Sequence, residues 1–136
     1  MYLNQLNSRQ KELFLDLSLH LSKSDNDFSE DEKKLICQLC TEMEIPVRHD
    51  AVCSFDEAAD EVAAISSIKT KRIFMLELAG IVMADNVYGE DEKVIMVRLS
   101  EKFDLRYSEV EKAISLVSDL YKVYSELSCF IGGDEK

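Results

Sequence analysis

Asp25-Asn26-Asp27-Phe28-Ser29-Glu30-Asp31-Glu32-Lys33 and Asp85-Asn86-Val87-Tyr88-Gly89-Glu90-Asp91-Glu92-Lys93 are one stretch met twice, sixty residues apart. Six of the nine positions are identical and a seventh exchanges Phe28 for Tyr88, where ordinary residue frequencies supply roughly one identity or fewer. The match extends outward on both sides: Phe14 falls on Phe74, Leu21 on Ile81, Leu39 on Leu99 and Ile45 on Leu105. Apolar segments flank both stretches. The chain therefore reads as a duplicated unit of helix, acidic turn and helix, covering about 10–45 and 70–105.

Helical spacing carries the reading outward from the turns. Leu13 or Phe14, Leu17 and Leu21 share one face of a first helix, and Leu35, Ile36, Leu39 and Met43 share one face of a second, which Pro46 ends. Ala58, Val62, Ile65 and Ile68 mark a connecting helix. Ile73, Leu76, Gly80 and Met83 mark a fourth that is apolar on nearly all sides, Ile95, Leu99 and Phe103 a fifth, and Val110 to Leu127 a long sixth. Ser29-x-x-Glu32, Ser54-x-x-Glu57 and Ser108-x-x-Glu111 have the spacing of capping boxes, in which the serine accepts from an amide one turn in and the glutamate reaches back. The expected fold is all-α, a single domain of six to seven helices built as a bundle of duplicated helical hairpins, with a frayed tail at 132–136.

Composition narrows the function. The 136 residues suit one domain, and 46% hydrophobic residues suffice for a core. With 16 basic and 27 acidic residues the net charge is −11, which repels nucleic acid and anionic lipid and favours cations or a basic protein partner. The greasy run from Ile73 to Ala84 contains Glu77 and falls short of the about 20 apolar residues of a membrane span. Met1 to Glu12 lacks a signal-peptide core, and the four cysteines fit free thiols in a reducing cytoplasm.

The turns admit two chemistries. Asn26 and Asn86 suit a left-handed helix end, Phe28 and Tyr88 can fold back onto the core, and the acidic first turns complement the helix dipole. On this account Asp25 and Asp85 close turns while Glu32 and Glu92 cap helices. On the other, Asp25, Asp27 and Glu32, with Asp85 and Glu92, offer oxygen ligands to a divalent cation such as calcium, magnesium or manganese. They do not form an EF-hand loop, whose twelfth place needs a glutamate; Ile36 and Met96 stand there.

Ala84-Asp85-Asn86-x-Tyr88-x-Glu90-x-Glu92, following an apolar helix, resembles the signature of the TerB-like family, and Asp25 to Glu32 repeats its spacing. Asn stands in both turns where that signature has Gly. The resemblance spans roughly Leu13 to Leu127. It implies an all-α fold with internal pseudo-symmetry and a cytoplasmic protein tied to tellurite resistance or other chemical stress. It also implies divalent-metal binding by acidic residues, which by position are Asp25, Glu32, Asp85 and Glu92.

Other groups read as structure. Cys37-x-x-Cys40 with His49 and Cys53 imitates a zinc set, but both cysteines lie within a helix, and their counterparts sixty residues on are Val97 and Ser100. His20 and His49 read as ordinary surface or helix-end residues, and Tyr121 and Tyr124 as core and groove lining. Glu77 is expected on an exposed stripe or paired with Lys71 or Arg72. No phosphate loop, His-Glu-x-x-His or nucleophile elbow is present. Three functions stay open: a non-enzymatic module whose acidic turns bind metal, an acidic adaptor for a protein partner without metal, and an enzyme using Glu77 with the turns.

Overall fold

The structure, a computed structural model, describes residues 1–22, 29–83 and 89–132. After a 3-10 turn at Leu3–Gln5 come six α-helices: α1 (Ser8–Ser22), α2 (Glu30–Met43), α3 (Phe55–Ile65), α4 (Ile68–Val82), α5 (Glu90–Lys102) and α6 (Tyr107–Gly132). No strand occurs among the described residues, and the fold class is all-α. Asn26, Phe28, Asn86 and Tyr88 lie outside the described residues.

α1 is the most enclosed element. Beyond the expected Leu13, Phe14, Leu17 and Leu21 it also buries Leu15, Asp16, Ser18 and Leu19, because α2, α3 and α4 all pack around it. Of its interior polar groups, Ser18 is satisfied within the helix and Asp16 by a loop. Ser18 Oγ donates to the Phe14 carbonyl at 2.8 Å, one turn back. At the centre, Phe14 of α1 meets Phe74 of α4 edge-on with ring centroids 5.5 Å apart, and Phe74 meets Phe103 at 6.2 Å. α6 lies along α4, where Tyr121 donates its hydroxyl to the Gly80 carbonyl at 2.7 Å. A Cβ at Gly80 would meet that hydroxyl at 3.4 Å, an ordinary van der Waals contact.

Helix ends explain where the sequence reading shifts. α2 stops at Met43, before Pro46, because Glu44 turns left-handed (φ 60°) and the Ile45 amide donates back to the Cys40 carbonyl at 3.0 Å. Asp104 (φ 57°) does the same after α5, with the Leu105 amide on the Ser100 carbonyl at 2.9 Å. Ile68 belongs to α4 and not to the connecting helix. Ser66 is extended, and Ser67 caps a new helix by accepting from the Thr70 amide at 3.2 Å. The box expected at Ser108 and Glu111 does not form: α6 starts at Tyr107, and Glu109 reaches back to the Arg106 amide at 3.3 Å. No helix among the described residues is long and apolar enough to cross a membrane.

Candidate functional site: an acidic cleft at the starts of α2 and α5

The first turns of α2 and α5 are built on glutamates. Ser29 is extended, its Oγ accepts from the Glu32 amide at 3.2 Å, and Glu32 Oε1 accepts from the Ser29 amide at 2.9 Å. At the second turn Gly89 has no side chain to contribute, so only the return half of the box exists, with Glu92 Oε1 accepting from the Gly89 amide at 3.0 Å. Capping is thus one role of both glutamates. Their placement is a second feature: Glu32 and Glu92 line the same cleft, of about 500 Å³. Leu21, Leu35 and Ile81 give it an apolar wall, while Asp31 and Lys34 stand with the glutamates at its polar side.

Ser22, the last residue of α1, also lines this cleft. It is 5% exposed, and its Oγ has no hydrogen-bond partner among the described residues. A buried hydroxyl without a partner costs on the order of 1–3 kcal/mol, so this oxygen marks a place where a polar group would be favourable. Nothing in the sequence singled Ser22 out except its position just before the acidic stretch. Asp25, Asp27 and Asp85 lie outside the described residues. Among the described residues, no group of three or more His, Cys, Asp or Glu side chains is placed to hold a metal ion.

The remaining candidates have structural partners. Cys40 is fully buried, and burial pushes its thiol up; Cys37 Sγ lies 3.9 Å from His49 Nε2. His20 stands at a helix end, in the last turn of α1; its Nε2 is bonded to the Cys53 carbonyl at 2.8 Å and its ring meets Phe55 edge-on. Glu77 is neither exposed nor paired with Lys71 or Arg72. It is 8% exposed, accepts from the Tyr2 amide at 2.7 Å and faces the Met1 amine at 3.1 Å, while Arg72 binds Glu109. It lines a different, smaller cavity of about 180 Å³, with Leu39, Tyr121 and Tyr124. Burial, with the Glu77 charge adding to it, pushes the Tyr121 hydroxyl above its ordinary pKa.

Sequence reasoning missed Asp16. Its Oδ1 accepts from Arg48 Nη1 at 2.7 Å and from the Val52 amide at 3.0 Å, and its Oδ2 accepts from the Cys53 amide at 3.2 Å. This carboxylate ties the 44–54 connection to α1. No protein-family model matches the chain, and neither a curated protein nor a solved structure matches it.

Proposed function

We propose that the chain is a non-enzymatic helical module that binds a divalent cation at the cleft between the starts of α2 and α5. The observation that supports this reading is the shared cleft: Glu32 and Glu92, far apart in sequence, flank one cavity that also holds the unpartnered hydroxyl of Ser22. Oxygen donors of this kind suit calcium, magnesium or manganese. Asp25, Asp27 and Asp85, a few residues before these glutamates, would complete the ligand set. The TerB-like resemblance connects such a module to cytoplasmic tellurite or chemical-stress responses.

Calorimetric titration of chelator-stripped protein with calcium, magnesium, manganese and zinc tests the reading. One saturable event is expected, accompanied by a higher melting temperature, because a ligand that prefers the folded state stabilises it. Glu32→Gln/Glu92→Gln keeps an oxygen for each cap and removes the charge, so it should abolish the titration while preserving helicity; Asp25→Asn/Asp85→Asn should do the same. Absence of binding by folded protein would leave the glutamates as caps. The acidic surface would then be a dock for a basic protein, whose capture salt should weaken.

A further inference from the structure

The second half of α6 leaves the body of the fold. Every residue from Lys122 to Gly132 is exposed, a stretch of about 16 Å at 1.5 Å per residue. Its composition is not that of a solvated helix. Leu116, Leu120, Val123, Leu127 and Phe130 follow one another at alternating spacings of four and three, and Tyr124 and Ile131 flank the line. Phe130 is 85% exposed and Ile131 83%; Leu116, Val123, Tyr124 and Leu127 are each about half exposed. These six leave roughly 600–700 Å² of side-chain surface in water, more than the largest apolar patch of a typical monomer.

We propose that this stripe is a self-association seam that pairs with α6 of a second copy of the chain. A repeat averaging 3.5 residues fits another helix, since that spacing keeps one face turned toward a helical neighbour. The facing surface must carry the same apolar spacing, and α6 itself supplies it. Charge permits the pairing despite the net −11 of the chain. Asp119, Lys122 and Glu126 are the charged residues between Leu116 and Gly132, and none falls on the five-residue line. Joining two such faces can bury up to about 1,300 Å², which reaches the range of specific, stable interfaces. The seam lies on a different element from the acidic cleft and does not depend on cation binding.

Sedimentation equilibrium of the full chain across a wide micromolar range tests the proposal. The expected result is a reversible transition from 15.5 kDa to twice that mass. Leu127→Glu/Phe130→Glu places charge on the seam and should weaken association at least tenfold without loss of helicity. Phe130→Glu alone, at a position with almost no intrachain packing, serves as the variant that cannot disturb the fold and should weaken association in the same direction. A wild-type chain that stays at 15.5 kDa throughout, or a dimer that persists unchanged in both variants, would overturn the proposal. So would a monomer whose α6 is covered by a different protein.

Discussion

Asp16 is the residue on which the longest connection of the fold depends. Two backbone amides and one guanidinium converge on its buried carboxylate, and Arg48 also donates to the Asp50 carbonyl at 2.8 Å, so the loop is held from both sides. Asp16→Ala would leave the Val52 and Cys53 amides without their acceptor and Arg48 without its partner. The expected cost is about 2–4 kcal/mol, moderated by the partial exposure of Arg48, and a urea denaturation midpoint reads it directly. Such a role is invisible along the chain, because the partners are 32 to 37 residues away and Asp16 merely interrupts an apolar run. The partner of the helix-end His20 is hidden for the same reason: the Cys53 carbonyl is 33 residues distant. Cys40 was legible, because its place on the face of Ile36 and Met43 is a local property of the helix, and it is buried with them.

At the scale of elements, what could be read was what is encoded within one turn. Ser29 with Glu32 and Ser54 with Glu57 form the boxes their spacing predicted. Ser108 with Glu111 has the same spacing and fails, because α6 already starts at Tyr107 and Ser108 lies inside it; Glu109, two residues before Glu111, reaches the Arg106 amide instead, and Arg72 holds that carboxylate at 2.8 Å. The sixty-residue offset gives a paired test of capping. Ser29→Ala removes a side-chain acceptor and should cost about 1 kcal/mol. Gly89→Ser should have the opposite sign and stabilise by a few tenths of a kcal/mol. Gly89 already has an extended backbone (φ −79°, ψ 172°), and an added Cβ meets Glu92 Oε1 at an ordinary 3.8 Å. Thermal unfolding of both variants beside the wild type checks the two signs together.

At the scale of the whole molecule, the duplicated sequence pattern located Glu32 and Glu92 as candidates, but only the packing of α1, α2, α4 and α5 brings them to one cleft with Ser22. Long-range ion pairs likewise escaped the sequence: Arg9 holds Glu61 at 2.6 Å and Arg72 holds Glu109. These pairs, with the Ser54 amide on Glu57, hold three carboxyls below their ordinary value of 4.5. A lowered folded-state pKa means that the unfolded chain takes up protons first. Their stabilisation is therefore complete above about 4.5 and is lost as pH falls through the lower folded values. Acidification relieves the self-repulsion of a chain carrying −11 at pH 7 only down to its isoelectric point of about 4.6; below it the chain turns positive, and repulsion grows in the same direction as the loss of these contacts. Salt separates the two, since at high ionic strength repulsion between distant surface charges is screened while the short hydrogen-bonded contacts persist in part. Melting temperature measured against pH should thus fall below about 4.5, and fall less steeply in roughly 0.5 M salt than at low ionic strength, the limb that persists in salt belonging to the short contacts. Glu61→Gln/Glu109→Gln should flatten that acid limb by removing two of the linked protons. An acid limb unchanged in this variant would mean that the pairs to Arg9 and Arg72 contribute nothing to the pH dependence of folding.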